Sequence, residues 1–278
     1  MARRKHENEE EKVTLVTADD PTFNLLIYGD PGAGKTTFAA SAQDHPDMRN
    51  VLFANIEGGL VSIAHRGDIH ERKIKKTADL EALGWDLAKN QYPSVHTVVI
   101  DNVTELQTLN LQEIVQAAIN SGRNMVKNRA RTIDDVWQED YMKSTKQLGR
   151  LFRFMRDLPM NVVFTAHMKR VYPKVPEGTD LTKIQPIAVL PSLSAKLGES
   201  LMGYVDFIWC LEEDTDVPAD DPKRRFMVTA SKGMYRCKTR GPRFFEAIGE
   251  VIETPNLPDI FDTFVEVHAA PPPKKKRK

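Results

Sequence analysis

The residues most suited to chemistry lie together at positions 29–37. Gly29 and Gly34 are separated by four residues. Lys35 and Thr36 follow, which completes the phosphate-binding spacing G-x-x-x-x-G-K-[ST]. In such a loop the backbone N–H groups turn around phosphate oxygens, the lysine reaches the outer phosphates and the hydroxyl can ligate magnesium. We therefore predict a nucleotide site formed by Gly29, Asp30, Pro31, Gly32, Ala33, Gly34, Lys35, Thr36 and Thr37.

A carboxylate follows an apolar run where this site would need a magnesium ligand. Asp101 directly follows the run at 96–100. Ligands of an open parallel sheet bind at the carboxyl ends of its strands, so Asp101 is expected beside the phosphate loop. We predict that Thr36 and Asp101 hold Mg²⁺, Asp101 through water. The residues themselves leave ATP and GTP open as the nucleotide.

Two more polar side chains are expected at the same edge of the sheet. Glu57 comes after the run 50–55 and could orient or deprotonate the water that attacks the terminal phosphate. A solvated loop glutamate is the alternative. His167 follows the run 161–166 and could sense the loss of that phosphate, or merely cap its strand. We predict catalytic roles for Glu57, His167 and Lys35.

Hydrophobic patterns indicate the elements that position these residues. Continuously apolar runs are typical of strands buried on both faces, as in a parallel sheet. Such strands are predicted at 23–28, 50–55, 96–100 and 161–166. Residues with helical spacing predict crossover helices between them. These helices are predicted at 77–90, 104–119 and 141–158.

The later part of the chain departs from this alternation. Residues 168–191 hold four prolines and no clear period, so a long loop is predicted there. A short helix at 194–202 and strands at 205–211, 225–229 and 244–248 follow. We predict an α/β fold with a mainly parallel sheet flanked by helices and an antiparallel C-terminal extension.

Residues 223–243 contain eight basic side chains and no acidic one. Like charges repel, so an anion is expected to offset the repulsion. A nucleic-acid backbone and the phosphates of a neighbouring subunit's nucleotide both suit this segment. A solvated basic hairpin is the alternative.

Two other segments could contact single-stranded DNA, because cationic loops with an occasional aromatic ring suit exposed phosphates and bases. One is the acid-free segment 122–132, and the other is the loop from 168 to 191. Solvation alone is again the alternative. The predicted DNA-binding residues are Arg123, Lys127, Arg129, Arg131, Lys169, Arg170, Tyr172 and Lys174.

The composition is that of a soluble globular protein. Of 278 residues, 41% are hydrophobic and 28% charged. No apolar run approaches the roughly 20 residues that span a bilayer, so no membrane partner is expected. The two cysteines supply neither a disulfide framework nor a zinc site. Residues 1–12 lack the apolar stretch of a secretory signal, and we expect a cytoplasmic protein.

Three segments are predicted along the chain. Residues 1–21 form a flexible charged arm, 22–267 one α/β core and 268–278 a proline-rich basic tail. Five of the 39 basic residues lie at 274–278, which leaves 34 against 39 acidic residues elsewhere. The tail resembles a nuclear-localisation sequence. A tether for nucleic acid and an appended tag are equally open.

The order of the motifs resembles that of RecA/RadA-type recombination ATPases. That order is a phosphate loop, a glutamate after the second strand, an aspartate after the third, a polar sensor after the next and then a long loop. More narrowly, the chain resembles phage-encoded, RecA-like Sak-type single-strand annealing ATPases at 193–196, 204–206 and 238–242. The resemblance covers about residues 22–250.

The resemblance implies a RecA-like P-loop NTPase core, ATP as the nucleotide and a homo-oligomer, either ring or filament. Glu57 would be the catalytic carboxylate, and His167 would stand where RecA has glutamine. Residues 168–191 would contact DNA. Lys238 and Arg240 would be catalytic fingers that act on the next protomer's nucleotide. The resemblance also implies two partners, single-stranded DNA and a single-stranded-DNA-binding protein. It implies that the protein acts in the cytoplasm of a bacterial host.

Together these observations predict an ATPase that assembles on single-stranded DNA and promotes annealing or homologous recombination. Two alternatives remain. One is a nucleotide-regulated DNA-binding assembly protein with negligible turnover. The other is a small-molecule kinase, which would need an arginine-rich lid and an acceptor pocket that the sequence does not indicate.

Overall fold

The computed structural model describes residues 22–122, 125–126, 129–174, 176, 184–218 and 220–269. The predicted arm at 1–21 and residues 270–278 of the predicted tail lie outside the described residues. No helix in the described part of the chain is both long and apolar enough to span a membrane. The strands are β1 Asn24–Gly29, β2 Val51–Asn55, β3 His70–Lys73, β4 Thr97–Asp101, β5 Met125–Val126, β6 Arg129–Ala130, β7 Asn161–Val171, β8 Ala188–Pro191, β9 Phe207–Glu213, β10 Arg225–Val228, β11 Lys238–Thr239 and β12 Val251–Glu253. The helices are α1 Lys35–Ala40, α2 Thr77–Ala88, α3 Val103–Asn120, α4 Gln138–Arg156, α5 Ala195–Tyr204, α6 Pro242–Ile248 and α7 Leu257–Ala269.

A mixed sheet of ten strands forms the centre of the molecule. Its order is β12-β10-β9-β1-β7-β4-β2-β3, with β11 paired to β9 and β8 paired to β7. The strands from β9 to β3 in this order are mutually parallel. Strands β10, β11 and β12 pair antiparallel. The predicted α/β class, with a mainly parallel sheet flanked by helices and an antiparallel C-terminal extension, is confirmed.

The register of the parallel strands brings the predicted site residues to one edge of the sheet. Gly29 at the end of β1 pairs with His167 of β7. Asn55 at the end of β2 pairs with Asp101 at the end of β4. Strands β1, β2 and β4 are buried along their whole length, which explains why they are continuously apolar in the sequence. The candidate site therefore lies at the carboxyl edge of the sheet.

Hydrophobic clusters cover both faces of the sheet. On one face, α2, α3, α4 and α5 pack against side chains such as Leu26 and Ile100. On the other face, α1, α6 and α7 contribute Phe38, Phe244 and Phe264. Successive side chains of β1 enter opposite clusters, as expected for an extended strand. Burial on both sides thus holds β1, from which the phosphate loop departs.

The structure corrects three details of the sequence analysis. The predicted strand at 244–248 lies in helix α6, because Pro242 occupies the first helical position, where its fixed φ favours a helix. The predicted loop at 168–191 is partly a hairpin, since β7 continues to Val171 and Met168 pairs with Pro191 of β8. Strand β3 was not predicted because its residues are polar and mostly exposed.

Candidate nucleotide site

The loop between β1 and α1 makes a close backbone turn that needs glycine at two positions. Gly34 has a φ of 97°, a left-handed conformation that glycine adopts readily. A Cβ at Gly29 would collide with the carbonyl oxygen of Leu211 on β9. The N–H of Phe38 donates to the Gly34 carbonyl at 2.8 Å as α1 begins. The geometry accounts for the glycine spacing found in the sequence.

Lys35 is buried inside this loop. Its Nζ donates to the carbonyl oxygens of Gly29 at 3.0 Å and Asp30 at 2.8 Å. Burial lowers the pKa of the Lys35 ammonium, while the carboxylates of Asp101, Glu57 and Asp30 act in the opposite direction. The loop therefore holds an ammonium group among carbonyl and carboxylate oxygens, within reach of an anion in the turn.

Thr36 and Asp101 come together although they are 65 positions apart in the chain. The Thr36 hydroxyl donates to Asp101 Oδ2 at 2.9 Å. The other carboxylate oxygen, Oδ1, accepts a hydrogen bond from the Thr165 hydroxyl at 2.6 Å. This second bond fixes the carboxylate in a buried position. A hydroxyl and a carboxylate side by side are oxygen ligands of the kind that Mg²⁺ uses when it also binds substrate phosphates.

Glu57 and His167 are joined by a residue that the sequence analysis missed. Asn102 Nδ2 donates to Glu57 Oε2 and lies 3.2 Å from His167 Nε2. Glu57 Oε1 is 3.4 Å from the same histidine nitrogen. Asn102 Oδ1 also caps α3 by accepting from the N–H of Glu105 at 2.9 Å. The asparagine just before a helix was a signal for the cap, but not for the contact with Glu57.

These groups face a common cavity of about 330 Å³ at the carboxyl edge of the sheet. The cavity is lined by five residues expected from the sequence, Lys35, Thr36, Glu57, Asp101 and His167. Arg225, the first residue of β10, lines the same cavity and was not predicted there. The arrangement combines a cationic phosphate loop, an oxygen pair for a cation and a carboxylate beside a histidine.

The structure contradicts the predicted DNA contact of Arg131. Arg131 Nη2 pairs with Asp140 Oδ2 at 2.5 Å, and both side chains are fully buried. The guanidinium also stacks over the ring of Trp137, 3.9 Å from its centroid. A side chain without exposed surface cannot meet a phosphate backbone while this pair is intact. Its charge is satisfied internally by a carboxylate that the sequence analysis had not connected with it.

The other predicted DNA residues differ in how much the structure says of them. Arg123 and Lys127 lie outside the described residues, and of Arg129 only the backbone in β6 is described. The remaining four lie at the end of β7 and just beyond it. The Lys169 ammonium donates to the carbonyl of Leu193, while Arg170 pairs with Asp30 at 2.7 Å and Glu212 at 3.5 Å. Arg170, Tyr172 and Lys174 are exposed, and Lys169 is partly buried.

Lys238 and Arg240 lie away from the phosphate loop of their own chain. Lys238 pairs with Ile208 in the sheet, three positions before Leu211, which pairs with Gly29. That offset is about 10 Å at 3.3 Å per residue. Lys238 Nζ donates to two carbonyls at the end of α5, and Arg240 Nη1 pairs with an aspartate at the start of β9, 2.7 Å away. Both side chains point to the amino edge of the sheet.

The parallel sheet, the glycine loop and the Thr36–Asp101 pair define the class of the protein, a P-loop NTPase. A family model described as an AAA domain (AAA_24) matches residues 22–241. The chain belongs to this AAA domain family and is a P-loop ATPase by class. The narrower resemblance to phage Sak-type annealing ATPases stays a prediction.

Comparisons with solved structures and with curated proteins add nothing to this family assignment. Among matching solved structures is one titled "Crystal structure of the RadB recombinase", with a TM-score of 0.39 and 14% sequence identity. The match covers 74% of this chain and 80% of the RadB chain. No protein of curated function matches the sequence significantly.

Proposed function

We propose that this protein binds and hydrolyses Mg²⁺-ATP and assembles on single-stranded DNA, where it promotes annealing or strand pairing in homologous recombination. One observation carries the nucleotide part of the proposal. Lys35, the Thr36–Asp101 pair and Glu57 line one cavity at the carboxyl edge of the sheet, where open α/β sheets bind ligands.

The residues present fit a magnesium nucleotide. The backbone N–H groups of the loop 29–37, in which only Pro31 lacks one, would bind the phosphates, and Lys35 would neutralise their charge. Thr36 and Asp101 hold the ion, Asp101 through water, as the oxygen pair in this cavity supports. Bound Mg²⁺ supplies charge neutralisation at the phosphate oxygens.

Glu57 is the proposed base for hydrolysis. It orients the attacking water and accepts its proton, while the Asn102 amide holds the carboxylate by a hydrogen bond to Oε2. His167 touches both side chains and belongs to β7, the strand that leads into the segment 168–191 predicted to contact DNA. This contact supports a sensor role, in which a change at Glu57 alters the position of His167.

The DNA part of the proposal is supported by the end of β7. Lys169, Arg170, Tyr172 and Lys174 lie within six residues, and the Tyr172 side chain is 52% exposed and available for stacking on a base. Arg170 pairs with Asp30 of the phosphate loop. A DNA phosphate that competes for Arg170 would release Asp30, which connects DNA binding to the nucleotide site.

Assembly into a homo-oligomer is proposed on the position of Lys238 and Arg240. Both lie toward the amino edge of the sheet, opposite the chain's own phosphate loop. A protomer that stacks its amino edge on the next protomer's carboxyl edge would bring these cations to the neighbour's nucleotide. There they would stabilise the charge that develops in phosphoryl transfer.

A turnover assay with and without single-stranded DNA distinguishes the proposal from its alternatives. We expect phosphate release from ATP that DNA stimulates. A nucleotide-regulated assembly protein would bind ATP with negligible turnover in both conditions. A small-molecule kinase would release ADP only when an acceptor is supplied. Either of the last two outcomes would contradict the proposed activity.

Two substitutions test the nucleotide site. Lys35→Ala is expected to abolish tight ATP binding in a folded protein. Glu57→Gln should keep ATP binding and slow hydrolysis by about 10²–10⁴-fold, because an amide cannot accept the water's proton. Glu81→Gln, at an exposed glutamate of α2, is the matched control and should leave turnover unchanged. Full turnover in Glu57→Gln would show that Glu57 is a solvated loop glutamate without a catalytic role.

Salt dependence and stacking test the DNA site. Affinity for single strands should fall steeply with rising salt and depend little on base sequence. The measurement needs a chain without residues 274–278, whose five charges could bind DNA by themselves. Tyr172→Ala should weaken binding about 5- to 150-fold, from a stacking contribution of about 1–3 kcal/mol. Tyr141→Ala, which removes an exposed tyrosine of α4, is the control and should have no effect.

A mixing experiment tests the fingers. Glu57→Gln subunits and Lys238→Ala/Arg240→Ala subunits should each be slow alone. Their mixture should recover part of the rate, because the second type keeps an intact Glu57 that the first type can complete with its cations. No recovery despite demonstrated co-assembly would assign these cations to DNA or to local structure.

A further inference from the structure

Arg225 stands over the phosphate loop of its own chain because of how β9 and β10 are paired. β9 runs parallel to β1, with Leu211 beside Gly29. β10 returns antiparallel to β9, and Arg225 at its start pairs with Glu213. The start of β10 therefore lies beside the phosphate loop at the carboxyl edge of the sheet.

The Arg225 side chain reaches the backbone of the loop. A Cβ placed on Gly34 would lie 3.0 Å from Arg225 Nε, 3.3 Å from Cδ and 3.5 Å from Cζ. Arg225 also lines the cavity that Lys35 and Asp101 share. Its guanidinium is therefore close to the atoms that would hold a phosphate chain.

Unlike the nearby arginines Arg224 and Arg170, Arg225 has no side-chain partner among the described residues. Arg224 Nε pairs with Glu213 at 2.5 Å, and Arg170 pairs with Asp30 and Glu212. Within the described residues, the exposed Arg225 side chain has no ion-pair or hydrogen-bond partner. A guanidinium beside a phosphate loop, with its five donors unused, is suited to an anion with several oxygens.

We propose that Arg225 binds the phosphates of the nucleotide held by its own chain. The inference rests on the proposed function and adds a cation in cis to those proposed to act in trans. It also divides the basic segment 223–243 into two parts. Arg225 lies at the carboxyl edge of the sheet, whereas Lys238 and Arg240 lie toward the amino edge.

ATP binding to four variants of the full chain tests the inference by calorimetry in the presence of Mg²⁺. Arg225→Gln should weaken ATP binding by about 10- to 100-fold, the loss of a hydrogen bond to a charged group. Arg225→Lys should lose less, because it keeps the charge without the fork of donors. The matched control is Lys223→Gln, an exposed cation two residues away, which should bind as wild type. Lys35→Ala reports on the site itself.

The outcomes separate this inference from the proposed function. Weak binding in Lys35→Ala with wild-type binding in Arg225→Gln would overturn the role of Arg225 alone. Wild-type binding in Lys35→Ala would overturn the nucleotide site and this inference with it. The unfolding midpoint of Arg225→Gln without nucleotide should match wild type, and Arg225→Lys supplies the test if it does not.

Mixing subunits distinguishes cis from trans action. Lys35→Ala subunits carry an intact Arg225 but bind no nucleotide of their own. If Arg225 acts in cis, adding them to Arg225→Gln subunits leaves ATP affinity at the weakened level. Restored affinity in the mixture would show that a neighbour supplies this arginine and would refute the assignment to the same chain.

Discussion

Replacing Arg131 by methionine would remove one half of an ion pair that is sealed from solvent. Arg131 Nη2 lies 2.5 Å from Asp140 Oδ2, and neither side chain is exposed. Removing one partner of a buried pair costs about 3–5 kcal/mol, because the other charge is left without compensation. Asp140 Oδ2 keeps the backbone N–H of Trp137, at 2.8 Å, as a donor. We therefore expect a loss at the lower end, about 3 kcal/mol in the free energy of unfolding.

Urea unfolding of Arg131→Met, Asp140→Asn and the double variant measures this energy. The double variant should lose at least about 1 kcal/mol less than the sum of the single losses, because the residues interact directly. Lys143→Met removes an exposed cation from α4, the helix that contains Asp140. This control should stay within about 0.5 kcal/mol of wild type.

Single-strand DNA binding by the same variants decides between structure and recognition. Under conditions where Arg131→Met is folded, its DNA affinity should match that of Lys143→Met within about twofold, since each loses one charge. If Arg131→Met is as stable as wild type and binds DNA more than tenfold more weakly than Lys143→Met, the structural role of Arg131 is refuted. Arg131 would then be a DNA ligand after all.

Three further predictions concern Gly34 of the phosphate loop, the contact of Asn102 with Glu57 and the buried thiol of Cys237. Gly34→Ala should lower the free energy of unfolding by about 1–2 kcal/mol in urea titrations, because a Cβ is strained at its φ of 97° and approaches Arg225. Asn102→Ala should leave ATP affinity unchanged in titrations but slow turnover, and should cost about 1 kcal/mol for the lost α3 cap. Burial raises the pKa of the Cys237 thiol to about 11. An unfolded thiol loses its proton near pH 9 while the folded one keeps it, so the Cys237 thiol should lower the free energy of unfolding by about 2 kcal/mol between pH 9 and 11. Urea midpoints over that range check this fall, and a flat profile would contradict it.

The sequence alone was sufficient for the main parts of the site. Glycine spacing is a local signal, and Lys35 and Thr36 follow directly from it. Asp101 and His167 could be predicted because each directly follows a continuously apolar run, and the carboxyl ends of parallel strands meet at one edge of the sheet. Glu57 was expected at the same edge for the same reason. The α/β class followed from the alternation of these strands with helices.

Tertiary structure decided which polar groups meet. Arg170 and Asp30 are 140 positions apart, and no local pattern announces their pair. Arg131 looked like its basic neighbours until Asp140 was found beside it in the interior. The contact of Asn102 with Glu57 depends on two strands that run side by side.

The same distinction divides the basic segment 223–243. Composition establishes that it carries eight cations, and it says nothing of their directions. The antiparallel pairing of β10 and β11 with β9 sends Arg225 to the carboxyl edge and Arg240 to the amino edge. Charge is a property of each residue, whereas the partner of a charge depends on long-range contacts that only the folded chain creates.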